Sequence, residues 1–169
     1  MTVPALPSII VSGGQTGVDR AALDFALRHN IPCGGWCPAG RCAEDGPIST
    51  QYPLTETPTR EYAERTEWNV RDSDGTLILT MGPPTSGTAC TVEWAKQYAR
   101  PCFVVDFSDP EDTVSSVHAW MNKYVIRKLN VAGPRESKTP GIYERALYYL
   151  ESLFPKEQEG HTRASVSIS

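Results

Sequence analysis

A glycine-rich segment near the start of the chain has the residue types of an anion site. Three β-favouring residues at positions 9–11 run into Gly13 and Gly14, and a helical pattern begins within four residues. The N–H groups of a helix N-terminus attract anions, and glycine leaves a phosphate room to approach the backbone. The predicted contacts are Gly13, Gly14, Gln15, Thr16, Gly17 and Asp19. A tight turn without a ligand is the alternative, in which Asp19 only complements the helix dipole.

This segment matches neither of the two common phosphate-loop motifs. The lysine and the following Ser/Thr of a Walker A loop are missing, and the glycines at 13, 14 and 17 do not have the GxGxxG spacing. A second strand–loop–helix junction follows at residues 83–88, where Pro-Pro-Thr-Ser-Gly-Thr opens a helix. The chain therefore has two places where a helix N-terminus could meet an anion.

Four further side chains are candidates for ligand contacts. Arg135 follows a strand, and its guanidinium could clamp a phosphate, although a surface ion pair with Glu136 or Glu144 explains it equally well. Trp36 could stack on a planar ring or simply be packed. Arg41 and Asp45 lie in a long loop, where Asp45 could accept hydrogen bonds from ring N–H groups or only cap a turn.

The order of the periodic segments predicts the fold class. Strands are expected at about residues 8–13, 33–37, 76–80, 102–106 and 128–132, and helices at about 17–29, 59–70, after 85, after 113 and over 142–154. Such alternation predicts an α/β fold with a parallel sheet covered on both faces. The loops after the strands should then meet at one rim of the sheet and form a ligand pocket.

Composition narrows the classes of function. The 169 residues suit one domain, which we place at residues 8–154 between a flexible N-terminus (1–7) and a disordered tail (155–169). A net charge of −4 without a basic run argues against nucleic-acid binding. The sequence shows no secretion signal and no apolar run of membrane-spanning length, so a cytoplasmic location is expected.

The cysteine and histidine residues give no prediction of a metal site. The five cysteines are expected to be reduced thiols, and Cys33, Cys37 and Cys42 lack CxxC spacing and a nearby histidine. The three histidines have no partners at the spacing of metal ligands or a catalytic triad. We therefore predict no metal site and assign no catalytic residue.

Several sequence blocks resemble those of the molybdenum-cofactor carrier family. They are SGGQTGVD (12–19), GGWCPAGR (34–41), AEDGPI (43–48), NVRDSDGT (69–76) and LNVAGPRES (129–137). That family is similar to the SLOG and lysine-decarboxylase-like Rossmann proteins. The resemblance implies a single Rossmann-like three-layer αβα domain with a mostly parallel sheet of about five strands. It also implies a homo-oligomer that binds a phosphorylated heterocycle such as the molybdenum cofactor (molybdopterin), with a nucleotide-like phosphate ligand as the alternative.

Comparison with the wider superfamily bears on catalysis. Lonely-guy-type phosphoribohydrolases have the motif PGGxGTxxE, whose glutamate takes part in hydrolysis. The similar stretch here keeps Gly87-Thr88 but has Thr91 at the position of the glutamate. The resemblance thus implies phosphate contacts by Ser86, Gly87 and Thr88 without hydrolysis by that mechanism. We predict a carrier, with a nucleotide-derivative sensor or a nucleotide-processing hydrolase as the alternative.

Overall fold

The main sheet of the protein is parallel and contains five strands. The computed structural model describes residues 6–156, and all its elements fall in that range. We number the strands of the main sheet β1 (Ile9–Val11), β2 (Cys33–Gly34), β3 (Gly75–Thr80), β4 (Cys102–Asp106) and β5 (Lys128–Ala132). The helices are α1 (Val18–Arg28), α2 (Tyr62–Arg71), α3 (Ser86–Gln97), α4 (Val114–Lys123) and α5 (Ile142–Leu153). The predicted α/β fold with about five parallel strands is confirmed.

The strand order across the sheet is β2-β1-β5-β3-β4. The last strand, β5, is therefore central: Leu129 lies beside Ile10 of β1, and Val131 lies beside Leu77 of β3. Counted from β5 as the first strand, the order becomes 3-2-1-4-5, which is the order of the first five strands of the six-stranded Rossmann sheet, 3-2-1-4-5-6. The direction of strand addition reverses between β5 and β3. Ligands of open α/β sheets bind at such a reversal, beyond the carboxyl ends of the strands.

The two faces of the sheet differ in polarity. Successive side chains of a strand point to opposite faces, and Leu77, Leu79, Leu129 and Val131 join the apolar core with residues of α1, α4 and α5. The alternate positions of β3 and β5 place Thr76, Thr80 and Asn130 on the other face, and all three are buried. The second face of the sheet therefore presents polar side chains to the layer that covers it.

The apolar helix faces follow the sequence pattern, with corrections at two helix ends. The predicted inward residues of α1 and α5 are all buried. The apolar spacing that begins at Val117 and Met121 predicts that Tyr124 and Val125 also face the core, but they are 47% and 62% exposed. The same spacing predicts that Ala99 continues the inner face of α3 after Ala95, but Ala99 is exposed. The reason is that α3 and α4 end earlier than the pattern suggests, and Ala99 and Val125 adopt positive φ angles of 51° and 52°. Trp120 covers the core in α4 instead.

The predicted long loop between β2 and α2 is an ordered subdomain. It contains two short parallel strands (Trp36–Cys37 and Thr55–Glu56), a 3-10 turn (Ala39–Arg41) and a hairpin formed by Cys42–Ala43 and Gly46–Pro47. A second apolar cluster lies beneath it, formed by Leu23, Cys37, Ile48 and Tyr52. This subdomain covers one side of the glycine-rich segment after β1.

Some predictions concern the ends of the chain. Residues 1–5 and 157–169 lie outside the described range, so the predicted flexible N-terminus and disordered tail fall largely there. Within residues 6–156, no helix is long and apolar enough to cross a membrane.

Candidate ligand-binding site

A cavity of about 400 Å³ opens where the strand order reverses. Its floor contains Thr80 at the end of β3 and Asn130 and Ala132 of β5, and its walls come from α2, the start of α3 and the loops after β1 and β5. The loops after β1, β3 and β5 meet at the rim, as predicted for the loops that follow strands. The segment at residues 36–47 does not line the cavity, and α2 takes that side instead.

An ion pair between α2 and the start of α1 forms one wall of the cavity. Arg65 Nη1 donates to Asp19 Oδ2 at 2.7 Å, and both side chains are largely buried. Gly13 makes this contact possible, because a Cβ there would lie only 1.6 Å from Arg65 Nη1. Arg65 Nε is also buried but has no hydrogen-bond partner in the described part of the chain. A buried donor without a partner is costly, so an acceptor that reached this atom would relieve that cost.

The charges that face the cavity are mostly positive. Arg65, Arg135 and Lys138 line it, while Asp19 is the one acidic lining residue among residues 6–156. Burial is the strongest influence on Asp19 and raises the pKa of its carboxyl, although the Arg65 guanidinium partly offsets this. The cavity therefore favours an anionic ligand.

The N-terminus of α3 is open toward the cavity. Ser86 and Gly87 are the first two helical residues, and neither backbone N–H has an acceptor within the described residues, whereas the Thr88 N–H bonds to the Thr85 carbonyl at 3.1 Å. A Cβ on Gly87 would meet nothing within 4 Å. The predicted contacts Ser86, Gly87 and Thr88 all line the cavity. Free amides and the positive end of the helix dipole make this the more accessible of the two helix N-termini.

The N-terminus of α1, by contrast, has protein partners already. The Gln15 N–H donates to Asp19 Oδ2 at 3.3 Å, the Thr16 N–H to Gln15 Oε1 at 3.0 Å, and the Val18 N–H to the Pro134 carbonyl at 3.3 Å. At Gly17 a Cβ would lie 2.3 Å from the same carbonyl oxygen. This glycine therefore allows a close approach of two protein loops.

The predicted contacts of this first segment divide into two groups. Gly13, Gln15 and Asp19 line the cavity, whereas Gly14, Thr16 and Gly17 do not. Gly14 has a φ of +79° and faces Leu54 and Ile48, whose nearest atoms would lie 2.6 Å and 2.9 Å from a Cβ. The contacts of Gly14 thus belong to the packing of the subdomain at residues 36–56.

Arg135 lines the cavity beside a tyrosine of α2. Its guanidinium carbon lies 5.9 Å from the centre of the Tyr62 ring, and that of Arg65 lies 5.6 Å from the same ring. Both distances are in the range of cation–π contacts. The nearest carboxylate to Arg135 is neither Glu136 nor Glu144 but Glu44, with Nη1 and Oε2 separated by 4.0 Å. Tyr62 therefore holds two arginine side chains at the same wall.

Trp36, Arg41 and Asp45 lie outside the cavity and make contacts within the protein. The Trp36 indole N–H donates to Asp72 Oδ2 at 2.9 Å, and its ring meets Trp68 edge-on at 4.8 Å. Asp45 accepts two hydrogen bonds from the Arg20 guanidinium at 3.0 Å and 3.1 Å. The Arg41 guanidinium donates to four backbone carbonyls, those of Ile48, Ser49, Tyr52 and Leu54. The cavity gives no support to ligand contacts by these three residues.

Several lining residues on α2 were not among the predicted contacts. Tyr62, Arg65, Thr66 and Asn69 all line the cavity. Their spacing of three, four and seven residues places them on one helical face, which is the pattern that could have identified them. The spacing of Thr66 and Asn69 predicts a shared face that could approach the rim, with an ordinary helix surface as the default, and both residues line the cavity. Asn69 is buried and bonds to both backbone polar groups of Trp36, at 2.7 Å and 2.9 Å.

Cysteine and other metal-binding side chains are not clustered. Within residues 6–156 no group of three or more His, Cys, Asp or Glu side chains could hold a metal ion. Burial raises the pKa of the Cys33 and Cys37 thiols, so both are held in the protonated form. Cys90 is exposed and lies in the cavity wall.

A parallel sheet in permuted Rossmann order, with a basic cavity at its point of reversal, defines a Rossmann-type ligand-binding domain. Residues 10–154 match the family described as the circularly permutated YpsA SLOG family, and the chain belongs to this family. The central position of β5 agrees with the permutation in that description.

One solved structure is similar in both sequence and fold. It is a crystal structure from Syntrophus aciditrophicus described as a "putative molybdenum carrier protein". The two chains are 48% identical, the match covers 89% of this chain and 96% of the other, and the TM-score is 0.86. The search of curated proteins finds no match to this chain.

Proposed function

We propose that this protein binds and carries a phosphorylated planar ligand, and that this ligand is the molybdenum cofactor, molybdopterin. The observation that supports a phosphorylated ligand is the buried Arg65 Nε, which has no partner in the part of the chain that the structure describes, in a cavity that Arg135, Lys138 and the N-terminal amides of α3 also line. These groups are donors of the kind that bind phosphate oxygens. The structural neighbour described as a molybdenum carrier supports the choice of ligand.

The cavity suits such a ligand in size and in the placement of its polar groups. A volume of about 400 Å³ falls within the range of small-molecule sites. The cationic groups and the α3 N-terminus would hold the phosphate, and the open space at Gly87 leaves room for it. The Tyr62 ring in the wall and Asn130 in the floor, whose amide donates to Thr76 Oγ1 at 3.2 Å, line the space that a planar heterocycle would occupy.

The side chains of the cavity favour binding over hydrolysis. General acid–base catalysis needs a carboxylate within reach of the reacting bond, and Asp19 is already bound to Arg65. The Thr91 hydroxyl, which stands where the hydrolases have glutamate, donates to the Gly87 carbonyl at 3.0 Å. Glu93 pairs with Lys96 at 3.2 Å and is not among the lining residues. A nucleotide-derivative sensor would use the same cavity without turnover.

A ligand panel tests this proposal. Thermal unfolding would be measured with the molybdenum cofactor, a dephosphorylated pterin, AMP, ADP-ribose, NAD and ribose 5-phosphate. A ligand at a concentration of about a hundred times its Kd should raise the free energy of unfolding by about 2.7 kcal/mol. For a domain of this size, that corresponds to a rise in Tm of roughly 5–11 °C. A shift with the phosphorylated pterin that is lost on dephosphorylation supports the carrier. A Tm shift with adenine nucleotides alone would contradict the carrier and favour a nucleotide-derivative sensor or a nucleotide-processing enzyme. Product analysis would then distinguish the sensor from the enzyme.

The homo-oligomer implied by the resemblance stays a prediction. Light scattering coupled to gel filtration measures the mass directly, with 18.6 kDa expected for one chain.

A further inference from the structure

A second cluster of hydrogen-bond donors lies next to the cavity, around the carboxylate of Glu44. Thr16 Oγ1 donates to Glu44 Oε1, and the Ser137 N–H donates to the same oxygen at 3.1 Å. The Ser137 hydroxyl donates to Oε2, and Arg135 Nη1 lies 4.0 Å from that oxygen. Two hydroxyls, one amide and one guanidinium thus surround a single anionic group.

The donors and the carboxylate come from different parts of the fold. Thr16 lies in the loop after β1, and Arg135 and Ser137 lie in the loop after β5, so the donors belong to neighbouring central strands. Glu44 lies at the tip of the hairpin formed by Cys42–Ala43 and Gly46–Pro47 and reaches these loops from outside the main sheet. The donor cluster is therefore built by the Rossmann-like core, and the hairpin contributes only the anion.

The charge state of Glu44 shows that these donors favour an anion. Burial pushes the pKa of the Glu44 carboxyl upward, but the hydrogen bonds from Ser137 and Thr16, together with Arg135, outweigh it and leave the pKa below its usual value. The Glu44 side chain is 20% exposed, so the cluster can be reached from solvent.

We propose that Thr16, Ser137 and Arg135 form a second oxyanion subsite, which Glu44 holds in the free protein and which a tetrahedral oxyanion such as phosphate takes when Glu44 is displaced. A phosphate presents more acceptor oxygens and more negative charge than a carboxylate, so it can use the same donors and attract Arg135 more strongly. This inference rests on the proposed function, because Arg135 lines both the cavity and the subsite.

The neighbouring tip residue offers a matched control. Asp45 is also a carboxylate of the hairpin tip, but its side chain pairs with Arg20, and among residues 6–156 it has no hydrogen bond to Thr16, Ser137 or Arg135. Replacing either residue by alanine removes one negative charge and one attachment of the hairpin. Only E44A uncovers the donor cluster.

The test measures the affinity of wild type, E44A and D45A for inorganic phosphate by isothermal titration calorimetry. Because the Glu44 carboxylate no longer competes for the donors, E44A should bind phosphate at least about tenfold more tightly than wild type. The phosphate affinity of D45A should not increase. The gain should disappear in the double variant E44A/S137A. No gain in folded E44A, an equal gain in D45A, or a gain that survives S137A would each overturn the inference.

Two further measurements keep the outcome clear. If E44A does not fold, as judged by circular dichroism, E44Q replaces it, since the amide keeps the size of the side chain but not its charge. E44Q should then bind phosphate more tightly than wild type, by a smaller factor than E44A would. If its phosphate affinity does not rise, the subsite is contradicted. Binding of the phosphorylated pterin to wild type is measured in parallel. Pterin binding without a phosphate gain in E44A refutes the subsite alone, whereas no pterin binding to wild type contradicts the proposed function.

Discussion

Arg65 Nη1 lies 2.7 Å from Asp19 Oδ2, and this contact joins α2 to the first turn of α1 across the edge of the cavity. The exposed fractions of the two side chains are 12% and 5%, so the pair is shielded from solvent. The ion pair engages one nitrogen of the guanidinium, and the buried Nε has no partner among residues 6–156. The same residue thus fixes the wall of the cavity and has one donor that is not used within those residues.

Arg65→Lys should separate these two roles. Lysine keeps a positive charge beside Asp19, so the variant should fold, but it has no counterpart of Nε. Loss of a charged hydrogen bond should weaken binding of the phosphorylated ligand by about 1.5–3 kcal/mol, or roughly 10- to 150-fold. Calorimetric titration measures this. Arg65→Ala is the contrast, because an unpaired buried Asp19 should cost about 3–5 kcal/mol of unfolding free energy. Unchanged affinity in the lysine variant would remove Nε from the site.

The two adjacent glycines should respond differently to substitution. In Gly13→Ala the new Cβ would displace the Arg65 guanidinium, so ligand affinity should fall sharply. In Gly14→Ala the new Cβ would press on Leu54 and Ile48 at a φ of +79°, so the main effect should be a loss of about 1–2 kcal/mol of stability or more. Urea unfolding and ligand titration of both variants check this. If Gly14→Ala instead lost ligand affinity and Gly13→Ala lost only stability, Gly14 would contact the ligand, as the sequence predicted.

Gly87→Ala should make the protein more stable and bind less well. Gly87 is the second residue of α3, its φ is not positive, and a Cβ there would meet no atom of residues 6–156 within 4 Å, so alanine should add about 0.4–1 kcal/mol of stability by restricting the unfolded chain. The methyl group would, however, stand beside the free amides at the start of the helix. A higher Tm together with weaker ligand binding is expected from thermal unfolding and titration. Equal or tighter binding would show that no ligand approaches this turn.

Trp36→Phe tests whether this ring stacks on the ligand or serves packing. Phenylalanine keeps an aromatic ring near Trp68 but loses the hydrogen bond from the indole to Asp72. The free energy of unfolding should fall by about 1–2 kcal/mol, and ligand affinity should stay the same. The two quantities are measured by urea unfolding and calorimetry. A large loss of affinity would restore the sequence-based prediction that Trp36 contacts the ligand.

Acidification should remove the stabilisation that Glu44 provides. Its pKa in the folded protein lies below the usual 4.5, because the hydrogen bonds from Ser137 and Thr16 outweigh the effect of burial. The contribution of the carboxylate is therefore complete above the unfolded pKa and is lost as the pH falls through the lower folded value. Unfolding free energies of wild type and E44Q, measured from pH 7 down to pH 3, should differ at neutral pH and converge in acid. A constant difference across this range would contradict the role of the charge.

The sequence predicted the sheet and the helices well because their patterns are local. The apolar face of α1 repeats with helical spacing, and the buried strands are short runs of β-favouring residues, so both can be read without knowledge of the fold. The ends of α3 and α4 before Ala99 and Val125 were not predicted. Both residues adopt positive φ angles, and the sequence gives no sign of this because such angles are uncommon for residues other than glycine.

The candidate site was harder to predict because it depends on contacts between distant segments. The glycines after β1 look like a phosphate loop, but whether the N–H groups of that turn are free depends on Asp19 and on Pro134, more than a hundred residues away in the chain. Arg65 lies in a helix without a recognisable motif, and only the fold brings it to Gly13. The spacing of the polar residues of α2 places them on one helical face, but what that face contacts became clear only from the strand order.

The central position of β5 also has a consequence for how the chain folds during synthesis. β1 and β3 each pair with β5 and not with each other, so the two halves of the sheet have no common neighbour until residues 128–132 are made. Until then we expect two strand pairs whose inner edges have no partner strand, and such edges favour aggregation. The cavity, whose walls come from both fragments and whose floor includes Asn130, should therefore form as one of the last steps, after nearly the whole domain has left the ribosome.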